Sequence, residues 1–107
     1  MTVKETIMTV VDKMNKDPEG IQGMNTVYQF DIYGVGNHQL HLKNDSAEYL
    51  EEEASEANCI IQMSEENFVK LLEGNLNPTT AFMTGKLKVK GDLSLAIKLQ
   101  NLLDRYR

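Results

Sequence analysis

The chain has 107 residues, 41% of them hydrophobic and 25% charged, which is the composition of an ordinary soluble globular domain. Its formal net charge of −5 argues against nucleic-acid binding through bulk electrostatics. Because no apolar stretch is long enough to span a membrane and residues 1–17 lack the apolar core of a signal peptide, we expect a single cytosolic domain, 1–107.

The first predicted element is an amphipathic helix. Thr2 and Glu5 have the spacing of a capping box, and apolar residues then recur at helical intervals. The pattern predicts a helix over 3–16. It ends where Asp17 precedes Pro18, because proline disfavours the helical conformation in the residue before it.

Four segments with period-two alternation follow the helix. Apolar side chains alternate with polar ones in each, which is typical of strands with one buried face. We predict strands over 26–33, 38–43, 46–52 and 58–63, with a tight turn at 44–45. The one-sided alternation favours an antiparallel sheet with one face in solvent, so other elements must cover its apolar face.

The remaining residues supply that cover. The predicted elements are a helix capped by Ser64 and ended by Gly74, a short helix from Asn77 and Pro78 through Met83, a strand over 86–90, and a helix over 93–105. The fold class is therefore α+β, with four to five helices on one face of a five-stranded, mostly antiparallel sheet.

The last helix is apolar around an unusually wide arc. At 100° per residue, its apolar side chains occupy about 220° of the circumference, roughly twice what a helix needs to cover a sheet. Gln100 lies inside this arc. We therefore interpret Gln100 as a group that reaches a ligand, the alternatives being a bond to nearby backbone or exposure at the edge of the arc.

Two segments in the C-terminal third closely resemble the sterol-carrier-protein-2 domain. Residues 74–92 read Gly-Asn-Leu-Asn-Pro-Thr-Thr-Ala-Phe-Met-Thr-Gly-Lys-Leu-Lys-Val-Lys-Gly-Asp, and residues 95–102 read Leu-Ala-Ile-Lys-Leu-Gln-Asn-Leu. Upstream, the first helix, residues 28–31 and residues 59–64 follow in the order of that family. The chain looks like a stand-alone prokaryotic member.

The resemblance implies a hydrophobic tunnel between the sheet and the helices, open to a fatty acid, acyl-CoA or sterol-like lipid. It implies non-enzymatic intracellular lipid binding and transfer, with no catalytic residue, cofactor or metal. The alternative is an accessory module that presents acyl ligands to a partner enzyme of lipid metabolism. The residues predicted to face the ligand, which a plain packed core would equally explain, are Phe30, Ile32, Leu42, Met63, Phe68, Leu72, Phe82, Met83, Leu87, Leu95, Leu99, Gln100 and Leu102.

Lysines line one face of the predicted strand at 86–90. Lys86, Lys88 and Lys90 protect an edge strand from pairing, or they bind anionic membranes or the phosphates of an acyl-CoA. We expect membrane contact to be transient at most.

No catalytic or metal-binding motif is present in the sequence. His38 and His41 lie three residues apart on a predicted strand, so they face opposite sides and cannot bind the same metal ion. Cys59 is the only cysteine, so the chain cannot form an intrachain disulfide. It lies in an apolar predicted strand, where thiols are usually inert.

Overall fold

The computed structural model describes residues 2–51 and 55–106. The secondary structure follows the predicted order, with a 3-10 turn added after the first helix. The elements are α1 (Val3–Lys16), the 3-10 turn (Pro18–Ile21), β1 (Thr26–Ile32), β2 (Gly36–Lys43), β3 (Ser46–Leu50), β4 (Cys59–Met63), α2 (Glu65–Glu73), α3 (Pro78–Met83), β5 (Leu87–Gly91) and α4 (Leu93–Arg105). The predicted end of the third strand at 52 lies outside the described residues.

The helix ends follow the capping chemistry of the sequence. The Thr2 hydroxyl accepts from the Glu5 amide at 3.1 Å while the Glu5 carboxylate accepts from the Thr2 amide, so the predicted capping box is confirmed. Ser64 caps α2, and Gly74 ends it with a left-handed φ of 88°. These local signals set where each helix begins and ends.

The five strands form one sheet in the order β3-β2-β1-β4-β5. Three of the neighbouring pairs are antiparallel, which confirms the mostly antiparallel sheet. The pair of β1 and β4 is the parallel exception, with Phe30 opposite Ile61. Alternation along a strand fixes which face is buried and carries no information about which strand lies beside it.

The alternation predicted that the outer face of the sheet lies in solvent, but part of that face is buried. Gln39 is fully buried there, and its side-chain amide bonds both the amide and the carbonyl of Ser55 as well as Gln29. Ser55 lies between β3 and β4 in the sequence, and β2 and β1 separate these two strands in the sheet. Part of the polar face therefore lies beneath the chain around Ser55.

The helices cover the inner face of the sheet. The buried apolar side chains of this face include Tyr28, Phe30, Ile32, Leu40, Leu42, Cys59, Ile61, Met63 and Leu87. Against them pack the buried faces of α1, α2 and α4 in a single apolar core. The ring of Phe68 in α2 meets Phe30 edge to face, with 5.2 Å between the ring centroids.

The end of α4 is fixed to the turn that follows α1. The Tyr106 hydroxyl donates to the carbonyl of Asp17 and accepts from the amide of Gly20 at 3.1 Å. Arg105 adds an ion pair with Asp17 at 3.2 Å. These bonds hold the end of α4 against the end of α1 and place Tyr106 beside it.

Candidate functional site

A small apolar pocket lies between the middle of the sheet and the helices, and we call it the interlayer pocket. Its lining residues are Ile7, Val10, Phe30, Leu40, Leu72, Leu99 and Leu103. Its volume is about 10 Å³, at or below what a single water molecule requires. The hydrophobic tunnel expected between the layers is therefore closed at this position, and side chains fill the space.

A wider depression lies at the protein surface next to the interlayer pocket, and we call it the outer groove. It measures about 330 Å³, within the range of small-molecule sites, and is lined by Thr6, Thr9, Val10, Lys13, Leu72, Glu73 and Tyr106. Val10 and Leu72 line both the outer groove and the interlayer pocket. Two aliphatic side chains thus form the boundary between the groove and the core.

Nine of the thirteen residues predicted to face the ligand are buried in the core: Phe30, Ile32, Leu42, Met63, Phe68, Leu72, Leu87, Leu99 and Leu102. Of these, Phe30, Leu72 and Leu99 line the interlayer pocket. Leu95 is half-buried and packs against the core. Gln100 is half-buried beside the exposed flank of α4, and its contact with a ligand stays a prediction.

Phe82 and Met83 lie at the surface rather than between the layers. Phe82 is 41% exposed and Met83 79% exposed, because the short helix α3 buries only its opposite side, Pro78 and Ala81. Phe82 lies beside Leu93 and Ile97, and we call these three exposed side chains the apolar patch. The wide apolar arc of α4 therefore divides between the core and the patch.

The lysines of β5 face away from the apolar patch. Lys88 and Lys90 pair in register with Gln62 and Ile60, on the outer face of the sheet, whereas the patch is on the helical side. Because β5 is an edge strand, this arrangement favours protection of the edge over membrane binding.

A buried histidine on the inner face is the polar feature that the sequence interpretation missed. His38 lies opposite Phe30 in the register, and its Nδ1 is 2.6 Å from the Tyr49 hydroxyl, with the two rings stacked. The alternation that turns Leu40 and Leu42 inward also turns His38 inward, so the signal was in the sequence. His38 and His41 do face opposite sides.

Nε2 of His38 has no hydrogen-bond partner, alone among the buried side-chain nitrogen and oxygen atoms of the described residues. An unpaired buried polar group costs about 1–3 kcal/mol. Burial lowers the pKa of His38 and so favours the neutral imidazole, and nearby Glu51 opposes this shift only in part. Glu51 itself pairs with Lys4 at 2.8 Å.

Cys59 is fully buried, and burial raises the pKa of its thiol from the ordinary 9.0 to about 11, with Asp92 adding to the effect. A shift of two units corresponds to a roughly 100-fold smaller thiolate fraction, and only the thiolate is nucleophilic. We therefore expect iodoacetamide to alkylate the native protein at least about 100-fold more slowly than the urea-unfolded protein. Equal rates in the two states would contradict the burial of this thiol.

The described residues contain no group of three or more histidine, cysteine, aspartate or glutamate side chains placed to hold a metal ion. Nor is any described helix both long and apolar enough to cross a membrane. The features that we consider for ligand binding are the outer groove, the interlayer pocket and the buried imidazole of His38.

Comparison with known sequences assigns the family. The SCP-2 sterol transfer family matches residues 7–104 of the chain. Hydroxysteroid dehydrogenase-like protein 2 of Bos taurus is 39% identical over 106 residues, which cover 96% of this chain and 25% of that protein. The chain therefore spans about a quarter of the length of this relative.

Solved structures show the same fold. Sterol carrier protein 2 from Yarrowia lipolytica in its apo form superposes with a TM-score of 0.76 at 28% identity, covering 92% of this chain and 87% of that one. Palmitated SCP2L2 from Aedes aegypti gives 0.70 at 24% identity, covering 96% and 95%. The predicted five-stranded sheet with its helical layer is confirmed, and the chain belongs to the SCP-2 sterol transfer family.

Proposed function

We propose that this domain binds one apolar lipid between its sheet and its helices and carries it unchanged. The observation that carries the proposal is the shared boundary of the outer groove and the interlayer pocket. Val10 and Leu72 contact both spaces, so rotation of two aliphatic side chains joins a groove of about 330 Å³ to the core. Such rotations need no movement of the backbone.

The chemistry of the path suits a long acyl chain. The groove and pocket meet through aliphatic walls, and each methylene buried there contributes about 0.8 kcal/mol. A flexible chain can pass between two side chains more easily than the rigid rings of a sterol can. Among fatty acids, acyl-CoA and sterol-like lipids, we therefore favour a ligand with a linear chain.

Binding is proposed to proceed without catalysis. Cys59 is a buried, weakly acidic thiol, and neither it nor His38 borders the outer groove. Release of the lipid to a membrane or a partner needs no more than transient contact. The cytosolic location of the protein stays a prediction.

Titration with palmitic acid tests the binding proposal. We chose this probe because the Aedes aegypti structure is that of a palmitated protein of the same fold. We expect one molecule to bind per chain, displacing a fluorescent fatty acid, and the melting temperature to rise by about 5 °C or more at saturation. No displacement and no change in melting temperature would contradict the proposal.

A second candidate function is presentation of the acyl ligand to a partner enzyme. It is favoured by the matched relative, a hydroxysteroid dehydrogenase-like protein of which this chain spans about a quarter. Transfer of palmitic acid between donor and acceptor vesicles separates the two candidates. Rapid transfer by the domain alone supports a carrier, whereas stoichiometric binding without transfer supports presentation.

A further inference from the structure

We propose that His38 is the subsite for the polar end of the lipid, with its Nε2 donating a hydrogen bond to a carboxylate or carbonyl oxygen of a long-chain fatty acid. The inference rests on the proposed lipid binding. It goes beyond that proposal by giving the ligand an orientation and a head-group class.

The position of His38 connects it to the interlayer pocket. Its register partner Phe30 lines that pocket, and so does Leu40, two residues further along β2 on the same face. An acyl chain that widens the pocket between these two side chains therefore has the imidazole beside one of its ends. The described residues that line the pocket itself are aliphatic or aromatic, so none of them offers a hydrogen bond from its side chain.

The hydrogen bonding of the imidazole defines what the subsite accepts. His38 is 92% buried, with an exposed fraction of 8%, and its Nδ1 contacts the Tyr49 hydroxyl at 2.6 Å. Among the described residues, no other partner competes for that hydroxyl, and a phenol donates readily to an imidazole nitrogen. With the hydroxyl donating to Nδ1, the ring proton lies on Nε2, which is then a buried donor without an acceptor in the described part of the chain.

Fatty-acid oxygens complete this arrangement. A carboxylate accepts a hydrogen bond from the Nε2–H group, and this charge-assisted bond is stronger than a hydrogen bond between neutral groups. A buried head group also limits the ligand class, because the nucleotide of an acyl-CoA is too large to enter beside Phe30. We therefore expect palmitic acid to bind at least tenfold more tightly than palmitoyl-CoA.

The test compares palmitic acid with hexadecane, delivered from cyclodextrin, in the unmodified domain and two variants. His38→Phe keeps a stacked ring beside Tyr49 and removes both nitrogens, and His38→Gln keeps a side-chain N–H. We expect His38→Phe to weaken the binding of palmitic acid at least about tenfold, since a hydrogen bond to a charged group has this magnitude. The affinity for hexadecane should stay unchanged. His38→Gln should recover part of the loss.

A spectroscopic measurement covers the case in which His38→Phe does not fold. In the unmodified domain, the ¹⁵N resonance of His38 Nε2 should shift on addition of palmitic acid and stay in place with hexadecane. Two results would overturn the His38 subsite while leaving lipid binding intact. One is equal affinity for palmitic acid in the unmodified domain and His38→Phe, and the other is an unmoved Nε2 resonance in the saturated complex. If neither probe binds the unmodified domain, the proposed function fails and the subsite fails with it.

Discussion

Replacing Phe68 by alanine should lower the free energy of unfolding by about 3–5 kcal/mol. Phe68 is fully buried, and its ring meets Phe30 edge to face across the boundary between α2 and the sheet. Truncation removes the transfer free energy of the ring and leaves a cavity between the layers. In a domain of 107 residues, this loss is a large fraction of the total stability.

Phe82→Ala is the matched control for this prediction. It makes the same chemical change on a helix, but Phe82 is 41% exposed in the apolar patch, so we expect a loss below about 1 kcal/mol. Urea unfolding followed by circular dichroism measures both variants under the same conditions. If the two losses were similar, the division of the apolar residues between core and patch would be wrong.

Replacing Leu72 by tryptophan should abolish or strongly reduce lipid binding while the domain stays folded. Leu72 lies at the boundary between the interlayer pocket and the outer groove and is 8% exposed. The larger side chain can extend into the groove instead of overfilling the core, so the melting temperature should change little. We expect at least a tenfold loss of affinity for palmitic acid, which is about 1.4 kcal/mol.

Leu93→Trp controls for the added bulk and the fluorescence of tryptophan. Leu93 is 45% exposed in the apolar patch, away from the groove, and this variant should bind palmitic acid as the unmodified domain does. Fluorescent fatty-acid displacement measures all three proteins. Unchanged binding by a folded Leu72→Trp variant would show that the ligand does not enter past Val10 and Leu72.

The local features of the fold were predictable because they depend on nearby residues. The capping box at Thr2, the N-cap Ser64 and the left-handed Gly74 each act within one helical turn. Period-two alternation located all five strands for the same reason. The parallel pairing of Phe30 with Ile61 was missed because strand order depends on the whole chain.

The candidate site was predicted only in part, for a similar reason. Phe82 and Leu99 are both apolar residues on predicted helices. Helical spacing alone cannot show which of the two the sheet covers. A tunnel width depends on how closely layers pack, which no residue pattern records. The inward position of His38 was predictable, because its alternation with Leu40 places it on the inner face.

Native mass spectrometry of freshly purified domain, combined with organic extraction of what it carries, tests the central claim most directly. If the domain is a lipid carrier, the protein mass should include one stoichiometric acyl lipid, or should gain one on addition of palmitic acid. The extract should contain a linear fatty acid. A folded domain that stays at its bare protein mass with palmitic acid, palmitoyl-CoA and a sterol alike would contradict the claim, and the interlayer pocket would then be ordinary core packing.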